Sequence, residues 1–190
     1  MKGFAKKCSS RTFRRAKKGS KRALAEIYHL YKEPIYNLAL RMLKDRASSA
    51  DVLQIVMVKV IEKISTVSDG KKIGAWIKTI TYNCIIDNIR ADSRYFFVED
   101  DVLDFIDYKS ASAIINDNKH DLERLMDCLD ERERLVVWLS AVEGYKHKEL
   151  AKSLGISETN SKQIYRRSIK KMVSLACLER FGGLYESRIA

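Results

Sequence analysis

The stretch "WIKTITYNCIIDNIRADSR", residues 76–94, carries a file of polar side chains through a segment otherwise apolar enough to be buried. At about 100° per residue, Trp76, Ile77, Ile80 and Cys84 share one side of a helix and Tyr82, Ile86 and Ile89 another. Thr79, Asn83 and Arg90 run between them, with Asp87 at the edge and Arg94 at the end. A helix wedged between two apolar neighbours could be built from Leu and Ile alone, so this file of Thr, Asn, Asp and Arg requires a reason. The plainer account is structural: Asp87 pairs with Arg90 at i,i+3, Asn83 satisfies a backbone group, and Trp76 belongs to the core.

No set of residues competes with a catalytic claim. His29, His120 and His147 are isolated, and no Gly-rich phosphate loop occurs. Cys8, Cys84, Cys128 and Cys177 lie far apart with no CxxC pair. The chain is therefore read as a non-enzyme with no metal, cofactor or disulfide, its thiols reduced in a cytoplasm. No run approaches the ~18 apolar residues of a membrane helix, so no membrane insertion is expected.

A second anomaly lies in "DVLQIVMVKVIEKI". Val52, Leu53, Val56, Met57, Val60, Ile61 and Ile64 form one apolar arc, sufficient to bury the helix. The opposite arc holds Asp51, Gln54, Lys59 and Glu62, but also Ile55 and Val58. Branched aliphatics on a polar face mark a contact surface for a partner, with Asp51 and Gln54 setting its register. Cover by neighbouring helices is the alternative.

Further on, "GYKHKELAKSLGISETNSKQIYRRSIKKM" reads as a helix, a turn at Gly155 and a second helix capped by Ser157 or Thr159. Ala151 permits a close crossing, and Leu150, Leu154, Ile156 and Ile164 fill the angle between the helices. This is a helix-turn-helix pattern, whose second helix enters a DNA major groove. Glu158, Thr159, Asn160, Ser161, Lys162 and Gln163 stand where side chains reach base edges. Arg166, Arg167, Lys170 and Lys171 follow as phosphate contacts, with Arg166 also able to reach a base. An ordinary helical hairpin with a basic face is the competing reading.

The elements that must position these residues are nearly all helices. One proline and eight glycines in 190 residues fit a helix-rich chain. The periodicity predicts helices at about 20–32, 34–44, 48–64 and 73–94, with Pro34 opening the second and Ser48 or Ser49 capping the third. Shorter ones follow at about 119–128, 131–142, 147–153 and 158–176. Charge divides the chain further. Residues 1–22 hold ten Lys/Arg and no acid, whereas 95–121 hold seven acids against two lysines. The fold class is all-α: a four-helix domain at 20–94 and a helix-turn-helix domain at 119–178, joined by a flexible acidic linker at 95–118. A basic N-terminal tail at 1–19, read as disordered and adding nonspecific phosphate attraction, and a C-terminal tail at 179–190 complete the division.

From about Arg15 to Leu175 the chain resembles an extracytoplasmic-function sigma factor of bacterial RNA polymerase. "GSKRALAEIYHLYKEPIYNLALRML" is similar to the pattern "Af..LY..y...vy..a.r.l", and "SADVLQIVM" to "AEDLvQevF". "IGAWIKTITYNCIIDNIRADSR" keeps the Trp, Asn, Asp and both Arg of "f..WL..Ia.N...D..R...R". The family's second domain, "L....R.v..L...eG.s..EIA..lgis..tVks...RA...L", is matched by residues 129–172, "LDERERLVVWLSAVEGYKHKELAKSLGISETNSKQIYRRSIKKM". Departures are Ala50 at the usual Glu, Met57 at the aromatic, Ser161 at the Val, Ser168 at the Ala, and Asp130-Glu131 where a proline is common.

The resemblance implies a role for each anomaly. Asp51, Gln54, Ile55, Val58 and Glu62 would dock on the clamp coiled coil of the polymerase's largest subunit, and the second domain would meet the flap of the second largest. Lys71, Lys72, Lys78, Thr79, Asn83, Arg90 and Arg94 would meet promoter DNA at the melted minus-ten element. Glu158 to Gln163 with Arg166, Arg167 and Lys170 would read the minus-35 duplex. An anti-sigma protein is a further partner by analogy. Two other readings stand beside this one: a free-standing helix-turn-helix regulator, and a sigma-like polymerase adaptor without promoter recognition.

Overall fold

The computed structural model describes residues 3–91 and 119–186, with side chains described for 3–91 and 122–176. The chain divides into two units, Met1–Asp92 and Ser93–Ala190. All regular structure among the described residues is helical. Arg94 and the acidic linker at 95–118 lie outside the described residues.

The first unit is built from α1 (Ser10–Lys17), α2 (Lys21–Leu43), α3 (Arg46–Lys63) and α4 (Ile73–Ala91). The helices expected at 20–32 and 34–44 are one. Pro34 lies inside α2, where its ring removes the hydrogen bond to the Leu30 carbonyl. The helix persists because apolar residues on both sides of that point, Ile27, Tyr31, Ile35, Leu38 and Met42, are buried together. The α2–α3 corner turns through Lys44 in the left-handed region (φ 54°), followed by Asp45 as the α3 cap. Asp45 Oδ2 accepts from Ser48 N at 2.6 Å, which holds its carboxyl below the usual carboxylate range. Ser48 and Ser49 therefore do not cap α3; Ser49 is buried one turn in, bonded back to the Asp45 carbonyl.

Residues 3–19, the described part of the expected tail at 1–19, are not loose. A short turn at Gly3–Ala5 and helix α1 pack onto the first unit through Phe4, Phe13 and Ala16, all buried. The Tyr31 hydroxyl donates to the Lys6 carbonyl at 2.8 Å, and burial pushes its pKa up to about 12. Two glycines make room for this segment. A Cβ on Gly70 would stand 2.6 Å from the Phe13 ring, and one on Gly74 would collide with the Phe4 carbonyl oxygen.

The second unit contains α5 (Lys119–Leu125), α6 (Glu131–Val137), α7 (His147–Leu154) and α8 (Glu158–Glu186). Asp130 and Glu133 form a reciprocal cap, Asp130 Oδ1 accepting from Glu133 N at 2.8 Å and Glu133 Oε2 from Asp130 N at 3.1 Å. That cap starts α6. Helix α6 widens into a π-turn at Trp138–Val142, and its Trp138, Leu135 and Leu139 are fully enclosed with Leu150, Leu154, Ile164 and Met172 nearby in the core. The buried Arg134 guanidinium donates to the Leu129 and Met126 carbonyls at 2.6 and 3.3 Å, fixing the turn before α6. Helix α8 runs on to Glu186, past the expected domain end at 178 and into the expected tail at 179–190.

Candidate functional site

Helix α4 turns its seam outward. Thr79, Asn83 and Arg90 are exposed, Lys78 is half-buried, and Trp76 and Ile80 border them half-exposed. Ile77, Ile85, Ile86 and Ile89 lie on the buried sides and hold the helix to its neighbours. The Thr79 hydroxyl donates to the Ala75 carbonyl at 3.1 Å, so it remains at the surface with its lone pairs available. Lys78 lies over the Tyr82 ring, 5.8 Å from its centroid. The plainer account of the seam pairs Asp87 with Arg90; Asp87 instead lies 3.6 Å from Lys59 on α3. Burial works to lower the Lys59 pKa, but the Cys84 thiol and the Asp87 carboxylate outweigh it and leave the ammonium above its ordinary value. Lys71 and Lys72 are exposed in the turn Gly70–Lys72 just ahead of α4, a turn capped by Asp69 Oδ1 accepting from Lys71 N at 2.9 Å.

On α3, Asp51, Gln54, Ile55, Val58 and Glu62 are all exposed, while Val52, Val56, Met57 and Val60 face inward. Ile61 was expected inside and is not. It is 52% exposed, beside Val58 at 53% and Ile55 at 48%. Three half-exposed branched aliphatics on one face form a contiguous apolar strip edged by carboxylates and a carboxamide. Ile61 could have been found: it stands three residues after Val58 and seven after Gln54, on the same face.

In the second unit α7 and α8 are joined through Gly155 in the left-handed region (φ 69°). Thr159, Lys162, Arg166 and Lys170 are exposed along one side of α8, with Gln163 and Arg167 half-buried beside them. Glu158 and Lys162 pair at 2.7 Å, and the Lys162 ammonium holds the Glu158 carboxyl below its usual range. Ser161 is a correction. It is fully buried, its Oγ 3.0 Å from His147 Nδ1, so it braces the two helices and cannot reach a base edge. Asn160 is also turned partly inward; its Oδ1 is closed off from solvent without a hydrogen-bond partner. The serine that departs from the pattern at 168 is buried as well, its hydroxyl donating to the Ile164 carbonyl at 2.7 Å.

Among the described residues no group of His, Cys, Asp and Glu is placed to hold a metal ion. No described helix is long and apolar enough to cross a membrane.

Comparison with known proteins gives the same division. The family model described as Sigma-70 region 2 matches residues 27–95, and that of Sigma-70, region 4 matches residues 119–172. The chain is 26% identical over 172 residues to RNA polymerase sigma factor SigZ of Bacillus subtilis (strain 168), covering 87% of this chain and 97% of that protein. It is 24% identical over 152 residues to ECF RNA polymerase sigma factor SigM of the same organism, covering 79% and 93%. A chain of the solved RsbN–BldN complex aligns with a TM-score of 0.38 at 20% identity, covering 86% of this chain and 98% of that one.

Proposed function

Because the chain belongs to the sigma-70 family, as a sigma factor of the extracytoplasmic-function type, we propose how its surfaces divide the work of promoter recognition. The α3 strip of Ile55, Val58 and Ile61, edged by Asp51, Gln54 and Glu62, docks on the clamp coiled coil of the polymerase's largest subunit. The second unit meets the flap of the second largest. The α4 seam of Thr79 and Asn83, with Lys71, Lys72, Lys78 and Arg90, takes the melted minus-ten strand: donors and acceptors face extruded bases and ammonium groups face phosphates. Arg94, assigned from the sequence alone, steadies the duplex just upstream. Helix α8 enters the minus-35 major groove, with Thr159, Gln163 and Arg166 toward bases and Lys162, Arg167 and Lys170 toward phosphates. Glu158 and Asn160 flank that face, Glu158 by tethering Lys162. Bond formation stays with the polymerase, in the cytoplasm.

The observation that carries this reading is the half-exposure of Ile55, Val58 and Ile61 on an otherwise charged helix face. Such a strip is costly in water unless a partner covers it. Before assembly, an anti-sigma protein covering the same strip would hold the chain inactive. The test is core-polymerase binding by the double variant Asp51→Ala, Gln54→Ala. Both side chains are exposed, so the fold should persist while affinity for core falls; undiminished affinity in a folded variant refutes the docking assignment.

A further inference from the structure

The cationic stretch at the N-terminus is a built surface. Phe13 and Ala16 are buried to 7% and 1% exposure, which fixes the rotation of α1. At about 100° per residue this turns Arg11, Arg14, Arg15 and Lys18 to the opposite side, and all four are exposed. None of the four makes an ion pair among the described residues. Arg14 Nε donates to the Ser10 carbonyl at 3.3 Å, but like charges one helical turn apart repel, so a stripe without countercharges destabilises the unit that carries it.

Yet the helix is held firmly. Ser9 Oγ caps it by accepting from Thr12 N at 3.0 Å, and the Thr12 hydroxyl donates to Glu26 Oε2 at 2.8 Å. Lys17 Nζ donates to the Val67 carbonyl at 2.8 Å, tying the far end of α1 to the loop before α4. The Phe13 ring occupies the space a Cβ on Gly70 would need, and Gly70 begins the turn that carries Lys71 and Lys72. The α1 stripe and the strand-facing lysines are thereby parts of one rigid surface.

We infer that the outer face of α1 is a phosphate-binding surface that holds the sugar–phosphate backbone of promoter DNA beside the Lys71–Lys72 loop. It rests on the minus-ten assignment above and extends it by a sequence-independent contact. A stripe repeating once per helical turn, about 5.4 Å, suits successive phosphates and carries no donor–acceptor code for bases. The surface adds affinity and salt dependence without altering which promoter is chosen.

The experiment measures promoter binding by reconstituted holoenzyme across a salt series. Wild type is compared with the variant Arg11→Gln, Arg14→Gln, Arg15→Gln, Lys18→Gln and with the charge-keeping Arg11→Lys, Arg14→Lys, Arg15→Lys. Each phosphate contact contributes about 0.7–0.9 to the slope of log K against log salt. The glutamine variant should lower that slope by about 3, equally on unrelated promoters, with core affinity unchanged and the lysine variant near wild type. Arg15→Gln alone, which touches only an exposed side chain, should lower it by about 1. An unchanged slope overturns the inference, as does a loss confined to core affinity, which would mean an acidic protein partner. Wild-type holoenzyme that binds no promoter overturns the proposed function itself, and this inference with it.

Discussion

His147 Nδ1 on α7 and Ser161 Oγ on α8 share a 3.0 Å hydrogen bond at the crossing of the helix-turn-helix. Burial lowers the imidazole pKa below its ordinary value, Lys162 and Arg166 lower it further, and Glu158 opposes them. The unfolded chain therefore takes up a proton more readily than the folded one. The second unit is at full stability above about pH 6.5 and loses stability as pH falls through the folded value. Urea midpoints compared at about pH 7.5 and about pH 5 should show the decline, and His147→Gln should flatten it. The effect is modest because the ring is only half-buried.

The apolar strip on α3 gives a direct contrast between stability and binding. Val58 is 53% exposed, so Val58→Asp should leave thermal unfolding of the chain nearly unchanged. Core-polymerase affinity, measured by fluorescence anisotropy, should fall at least about tenfold if Val58 is covered in the complex.

Gly74 is required by a neighbour, not by its own backbone. Gly74→Ala puts a Cβ against the Phe4 carbonyl oxygen and should destabilise the first unit by about 1–3 kcal/mol in chemical denaturation. Removing residues 1–9 first should abolish that cost. A cost of the same size in the shortened chain would mean that the clash lies elsewhere.

The α4 seam separates strand capture from folding. Thr79 and Asn83 are exposed, and the Thr79 hydroxyl is bonded only to the Ala75 carbonyl of its own helix among the described residues. The double variant Thr79→Ala, Asn83→Ala should keep the wild-type melting temperature and core affinity. Permanganate reactivity of unpaired thymines at the minus-ten element should drop severalfold.

Much of this was legible because helical phase is written in residue type. The outward seam of α4 followed from apolar residues on two sides of Thr79 and Asn83, and the exposed face of α3 from Asp51, Gln54 and Glu62. Pro34 misled because its local penalty is visible in sequence, whereas the burial of Ile27, Tyr31, Ile35 and Leu38 that outweighs it is a tertiary quantity. Phe4 and Phe13 stood in a strongly basic stretch, and nothing local announces that Gly70 and Gly74 leave space for them. Ser161 is a different case. Ser161, Ile164 and Ser168 lie at i, i+3 and i+7, the spacing of one buried face, and that spacing outranks the polarity of a serine.

The account is tested most directly by transcription with purified chain and bacterial core polymerase on a library of genomic fragments, sequenced at the starts. New starts that appear only with the chain, and share two spaced motifs upstream, are the predicted result. Core binding without new starts would contradict promoter recognition and leave a polymerase adaptor; DNA binding with no affinity for core would leave a free-standing regulator.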